Sequence, residues 1–384
     1  MESVCMHTAV QIRREVVNHL TAGATGRGII DPVLLHWPMA YKKSSKMQRM
    51  PKIEPAVLTL SFQTTAVGGA GVVRDYIDLS QVASLVNRRF YRQGINWAVG
   101  GFKFLRPSGF EGSVRVAKLP NTWVMANAWE KSMRTWTKMN NEALAETESV
   151  RPRFLDFKVY ADADHHQAGY VGNLLPISST AVYTAGEWEA SKASIPLVSP
   201  AGVFQPGETV QREFIAVGAS YPGASAVTTF DALSLIEGYA ASRGLPNIAD
   251  PNTPTDAPDI GGGTPENWMG AIFNEGTNQV SDVLEDMITE NNQAPYPFEN
   301  DGVNFDTMYP GGANQGVGLQ IHDLEYFTPT TIGGATRLKG GNFPCGLIQV
   351  LTQNLGVESA SLTLQIDLIP GNHRGYLCEP MTEM

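Results

Sequence analysis

The chain has 384 residues, with 28 Lys and Arg against 38 Asp and Glu, a net charge of −10 and 42% hydrophobic residues. Three scattered cysteines, Cys5, Cys345 and Cys378, exclude a disulfide framework or a thiolate zinc site. No stretch approaches a membrane span and the first residues hold no apolar signal core, so the reading is of a soluble protein made inside a cell.

The charge is unevenly spread. Residues 1–160 hold 22 Lys and Arg and 12 Asp and Glu, whereas residues 161–384 hold 6 and 26. A single catalytic domain needs no such split. A protein with one surface against a polyanion and another against solvent does.

In chain order, Ile12, Val16 and Leu20 opposite Arg13 and Arg14 outline an amphipathic helix. Lys42, Lys43, Lys46, Arg49 and Lys52 then fall within eleven residues with no acid until Glu54. Cationic segments of this kind bind phosphates by displacing counterions, without reading sequence, although a solvated linker is the plainer alternative. Leu58, Leu60 and Phe62 alternate as in a strand. The spacing of Leu79, Val82, Val86 and Phe90 predicts a helix over 78–92, capped by Asp78 or Ser80 and stopped at Gly94. Arg88, Arg89 and Arg92 then fall in its last turn.

Strands follow over Gly94–Leu105 and around Val114 and Val116. A second helix, over 121–140, aligns Met125, Trp129, Met133 and Trp136 opposite Lys131, Arg134 and Lys138. Its tryptophans suit core packing better than base stacking. Leu155, Phe157 and Val159 read as a strand, as do Thr209–Val217, Gly318–Phe327 and Gly346–Thr352. Ser361–Ile369, with Leu362, Leu364, Ile366 and Leu368 alternating with polar residues, is the clearest of all. Further helices are expected from Leu233, Ile236 and Ala240, ending before Gly244, and over Val280–Ile288. Asn247–Glu266 and Asn291–Gly316 are too rich in Pro, Gly, Asn and Asp for regular elements and read as long loops.

Few motifs carry chemistry. Asp162-Ala163-Asp164-His165-His166 is the densest set of metal-ligand types, but on a strand end adjacent ligands point to opposite faces, so a polar strand end or subunit contact is the better reading. Gly23–Gly28 and Gly68–Gly71 lack the order and flanks of a phosphate loop and read as turns. Neither G-x-S-x-G nor H-E-x-x-H occurs, and Glu187 and Glu189 flank Trp188 on one solvated face rather than forming an acid pair. No catalytic residue and no metal site is assigned.

About eight antiparallel strands with inserted helices and long loops point to a mainly β fold, a single jelly-roll sandwich. Residues 1–54 form a basic, partly helical segment and 55–384 the sandwich domain, with insertions at about 230–316. The segments Asn87–Gly94, Gly112–Val124, Asn127–Lys131, Phe154–Val159, Asn173–Ile177 and Gly186–Glu189 resemble coat proteins of small circular single-stranded DNA viruses, with the bacilladnavirus-like coats nearest. The resemblance covers roughly residues 85–190, and the chain departs from it in lacking a strongly basic N-terminal arm. It implies a virion protein, made in the host cytoplasm or nucleus, that self-assembles as 60 or a multiple of 60 copies into an icosahedral shell around its genome.

Taken with the charge, the expected nucleic-acid contacts are Arg13, Arg14, Lys42, Lys43, Lys46, Arg49, Lys52, Arg88, Arg89 and Arg92. The basic first half is inclined to the lumen and the acidic second half outward. No cofactor is expected beyond calcium at subunit contacts, for which Asp250, Asp256, Asp259 and Asp301 are candidate ligands. The rival readings are a glycan-binding β-sandwich of a cell surface and, behind it, a metal-dependent hydrolase on a β scaffold.

Overall fold

Strict alternation of apolar and polar residues requires a sheet with one buried face, and two such sheets share one core here. The computed structural model describes residues 55–145, 149, 155–179, 181–198, 204–243, 268–272, 318–328, 330, 331 and 334–383. These lie within one unit, Pro51–Met384. The strands are β1 (Thr59–Gln63), β2 (Val72–Asp78), β3 (Ile95–Leu105), β4 (Gly112–Lys118), β5 (Lys192–Val198), β6 (Phe204–Ile215), β7 (Asp231–Ser234), β8 (Gln320–Phe327), β9 (Ala335–Phe343), β10 (Leu347–Asn354), β11 (Thr363–Leu368), β12 (Pro370–Gly371), β13 (Gly375–Tyr376) and β14 (Cys378–Pro380). The helices are α1 (Leu79–Asn87), α2 (Trp123–Leu144), α3 (Ala163–Ala168), α4 (Leu235–Arg243) and α5 (Trp268–Ala271).

The protein is mainly β, and its two large sheets are antiparallel. One runs β1-β11-β3-β9, with β14 pairing the first residues of β3; the other runs β2-β10-β4-β8. Leu60 lies directly across from Ile366 and Phe62 from Leu364, so the apolar faces of β1 and β11 coincide. Phe62, Phe102, Phe104 and Ile366 from the first sheet meet Ile77, Val114, Val116 and Val350 from the second in a single buried cluster. Each such side chain contributes roughly 1.5–3 kcal/mol by leaving water. Strands from the basic first part of the chain therefore interleave with strands from its acidic end. The charge boundary near residue 160 is not a boundary in space.

The connection from β4 to β8, residues 119–319, interrupts the two sheets over a longer stretch than 230–316. It holds 9 Lys and Arg against 25 Asp and Glu, whereas 55–118 and 320–384 together hold 11 against 9. The acidic excess thus belongs to this connection. Its described part builds a second core, in which α2 and α4 pack with the sheet β5-β6-β7. Thr122 caps α2 by accepting the Met125 N–H at 3.3 Å. The ring of Phe157 lies 6.2 Å from Trp129, 5.5 Å from Trp136 and 5.1 Å from Phe214. The outward-facing Tyr76 of β2 and Leu347 of β10 join this cluster and tie it to the back of the second sheet.

Four expectations change. Helix α1 ends at Asn87, because Arg88 takes a left-handed conformation (φ 53°) and sends the chain inward, where Tyr91 is fully buried in the sandwich. Arg88, Arg89 and Arg92 consequently lie beyond the helix, not in its last turn. Gly94 is no helix stop: a Cβ there would sit 2.1 Å from the Trp129 ring, so the glycine admits that indole. Leu155–Val159 belongs to no strand, and Leu233 ends up on β7, since its backbone bonds to β6. The expected N-terminal helix, the helix over Val280–Ile288 and both long loops lie outside the described residues.

Candidate nucleic-acid interface

The segment Arg88–Gly94 is held rigidly by backbone-directed bonds, and this fixes where its arginines emerge. The Tyr91 N–H donates to Ser84 Oγ at 3.0 Å. Gln93, fully buried, accepts the Val159 N–H at 2.7 Å and donates through Nε2 to the Val159 carbonyl and to Asp78 Oδ2, both at 3.0 Å. Arg89 Nη1 donates to the Pro55 carbonyl at 3.2 Å, and Arg92 Nε to the Leu155 carbonyl at 3.2 Å. Arg88 and Arg92 are exposed.

A fourth arginine completes the group. Arg374 sits in the turn between β12 and β13 in a left-handed conformation (φ 51°), and its Nη1 donates to the Phe90 carbonyl at 2.5 Å. Its own carbonyl accepts the Tyr91 hydroxyl at 2.9 Å. Beside Arg92 and Arg374 opens a cavity of about 280 Å³ lined by Phe90, Trp129, Trp136, Asp156, Phe157 and His373, among others. Burial pushes the Asp156 carboxyl up to about 7, with Lys158 opposing, and burial together with Arg374 and Arg92 lowers His373.

This raised carboxyl gives a pH prediction. Folded protein holds the Asp156 proton more tightly than unfolded chain, so its contribution to stability is fully present near pH 4 and is lost as pH rises to about 7. His165, lowered to about 3 by burial, acts in the opposite direction below its ordinary value of 6.5. The difference in stability between the native protein and Asp156→Asn isolates the first effect. It is expected to shift against the native protein between pH 4 and 7 and then level off, as read by urea midpoints across that range; a flat difference would contradict the assignment.

A second basic patch lies on the outer face of the β1-β11-β3-β9 sheet. Lys103 stands directly opposite Arg337, and Lys339 opposite Gly101. None of the three has an ion-pair partner among the described residues. The nearby Asp367 is engaged by Thr59 Oγ1 at 2.7 Å. Like charges directly opposite on a sheet repel, and a polyanion would relieve them. Arg337→Glu is therefore expected to stabilise the protein by about 0.5 kcal/mol and, if the patch binds a polyanion, to weaken polynucleotide binding. Loss of both stability and binding would argue against a binding role for the patch.

The Asp162–His166 set is on a helix, not a strand end, and its members diverge. Asp162 caps α3 by accepting the His165 N–H at 2.9 Å and also accepts the Tyr76 hydroxyl at 2.8 Å. Asp164 pairs with Arg74 at 3.3 Å on the surface. His165 Nδ1 accepts the Ala161 N–H at 3.0 Å, which leaves Nε2–H to donate to Asn173 Oδ1 at 2.8 Å. His166 meets Glu213 at 3.1 Å, both 1% exposed. Each side chain is thus committed to a different partner, and the group is a stitch between α3, β2, β10 and β6. Among the described residues no three His, Cys, Asp or Glu side chains converge for a metal. Glu187 and Glu189 are both exposed, and Trp188 between them turns inward, its Nε1–H donating to Asp78 Oδ2 at 3.0 Å.

Comparison with family models, with curated proteins and with solved structures finds no match. Of the expected contact residues, the structure brings Arg88, Arg89 and Arg92 together. Arg13, Arg14, Lys42, Lys43, Lys46, Arg49 and Lys52 lie outside the described residues, as do Asp250, Asp256, Asp259 and Asp301. Arg374, Lys103, Arg337 and Lys339 escaped the sequence reading. Alternation around Phe102, Phe104 and Leu338 would have placed the last three on a solvent face, but Gly340-Gly341 looks like a turn. In fact Gly340 lets β9 approach β3, where a Cβ would lie 2.3 Å from the Val99 carbonyl oxygen.

Proposed function

We propose that the two sheets form a jelly roll and that the chain is the coat subunit of a small virus, closing into an icosahedral shell around single-stranded nucleic acid. The observation that carries this reading is the strand order. Taken in sequence, the eight strands β1, β2, β3, β4, β8, β9, β10 and β11 pair first with eighth, eighth with third, third with sixth in one sheet, and second with seventh, seventh with fourth, fourth with fifth in the other. Two interleaved Greek keys of this kind build the jelly rolls of viral coats and lectins.

Three further features favour a coat over a lectin. Among the described residues, the outer face of the first sheet and the rim beside it carry Lys103, Arg337, Lys339, Arg88, Arg89, Arg92 and Arg374. The acidic excess is confined in sequence to the β4–β8 connection, apart from the strands that carry the basic face, and a split of this kind suits a protein that meets a polyanion on one surface. The sheet edge β8 carries Ile321 and Tyr326 at 55% and 62% exposure, and the β10–β11 loop carries Leu355 and Val357 at 61% and 96%. Apolar groups so placed are suited to contacts between copies. The function is structural; assembly and non-specific phosphate contact are its mechanism, and no catalytic step is assigned.

The test is negative-stain microscopy of the recombinant chain, with the 260/280 nm absorbance ratio followed across salt. The reading predicts closed, uniform particles whose nucleic acid is lost as salt rises. Dispersed subunits carrying no nucleic acid, and binding glycans instead, would contradict it.

A further inference from the structure

We infer that the cavity beside Arg92 and Arg374 receives one unpaired base of a single-stranded polynucleotide, with the two arginines holding its flanking phosphates. This rests on the reading of the chain as a coat that encloses nucleic acid, and it names the contact that would make the coat prefer single strands.

The cavity is small. At about 280 Å³ it lies just below the roughly 300–1,000 Å³ of typical small-molecule pockets, so it suits a single ring system. Half-buried Phe90 supplies planar apolar surface of the kind on which any base stacks, and the largely buried Trp129, Trp136 and Phe157 complete the apolar lining. Trp129 is 5% exposed and its indole Nε1–H is enclosed, so it contributes packing rather than a polar contact. Asp156 offers a carboxyl on the same lining, weakly engaged by the Gln93 N–H at 3.3 and 3.4 Å.

Two exposed arginines, Arg92 and Arg374, line the cavity together with one exposed carboxylate, Glu379, which accepts Asn96 Nδ2 at 2.9 Å, and both arginines are held in place. Arg92 gives its Nε to the Leu155 carbonyl and Arg374 one Nη to the Phe90 carbonyl. Those bonds fix both guanidinium groups while sparing other N–H donors, and a guanidinium has five. Phosphate is the anion that this planar fork geometry matches. A duplex would not fit, because its bases are already paired and stacked away from such a cavity.

The experiment compares binding of a short oligothymidine and of a duplex of equal length to full-length protein freed of nucleic acid at high salt and returned to low salt. The expected result is a single-strand preference of about ten-fold. Thr137→Trp, which fills the cavity without changing charge, should remove that preference and leave the salt dependence intact. Irradiating the unaltered protein with 5-iodouracil-substituted single strand should place cross-links on Trp129, Trp136 or Phe90, and this readout needs no variant to fold. Equal binding of single strand and duplex, with no cross-link at these aromatics, overturns the cavity inference and spares the coat reading. Failure to bind either polynucleotide at low salt overturns both.

Discussion

Asp78→Ala is expected to destabilise the protein by about 3–5 kcal/mol, the largest effect of any single substitution considered. The carboxylate is wholly buried between the two cores. Its Oδ1 caps α1, accepting the Ser80 N–H at 2.8 Å, the Gln81 N–H at 3.3 Å and the Ser80 hydroxyl. Its Oδ2 accepts Gln93 Nε2 and Trp188 Nε1, each at 3.0 Å. Alanine removes the cap, worth about 1 kcal/mol, and leaves two enclosed donors unsatisfied, at about 1–3 kcal/mol each.

Asp78→Asn should cost less, about 2 kcal/mol, because its oxygen can keep the cap while its amide faces two donors. Burial raises the Asp78 carboxyl, which reduces the advantage of the charged form and narrows the gap to asparagine. Urea unfolding followed by tryptophan fluorescence would rank the three proteins. An alanine variant within about 0.5 kcal/mol of the native protein would contradict this account of the junction.

Neutralising the arginine cluster is expected to have the largest effect on nucleic acid. With Arg88, Arg89, Arg92 and Arg374 all changed to Gln, the slope of log K against log salt for single strands should fall by about 3, at about 0.7 per phosphate contact. Low-salt affinity should drop by roughly 10²–10³. Glutamine retains a donor for the Pro55, Leu155 and Phe90 carbonyls, so the local backbone should persist, and an unchanged urea midpoint would verify it. An unchanged slope would move the interface away from this rim. Combining the change with neutral residues at Lys42, Lys43, Lys46, Arg49 and Lys52 should lower the slope further, since distant contacts add.

The fold was legible where one local rule acted alone. Ser361–Leu368 alternates without exception, and β11 lies there; the Met125, Trp129, Met133, Trp136 stripe announces α2 in the same way. It was less legible where tertiary contact overrode a local rule. The periodicity of α1 continues to Phe90, but the helix stops at Asn87 because burying Tyr91 is worth more than another turn. In β5, Pro196 hides a strand, and in β9 the glycines that admit a neighbouring backbone mimic a turn.

Pairing was beyond reach for a simpler reason. Thr59 and Asp367 are hydrogen-bonded across 308 residues, and nothing in either segment marks its partner. The same distance explains the site. Arg88, Arg89 and Arg92 are adjacent in sequence and could be grouped at once, whereas Arg374 joins them only because β14 pairs with β3. The charge split was visible, but its meaning changed when the sheets proved to be woven from both ends of the chain and the acids to be gathered in the β4–β8 connection.

The central claim is that this subunit closes on copies of itself. Its most direct test is the mass of the purified full-length chain at low salt, by size-exclusion chromatography with light scattering. The account predicts a monodisperse species of at least about 2.5 MDa, the mass of sixty 41.6 kDa chains. A stable species at 41.6 kDa over the whole range of salt and concentration would contradict it.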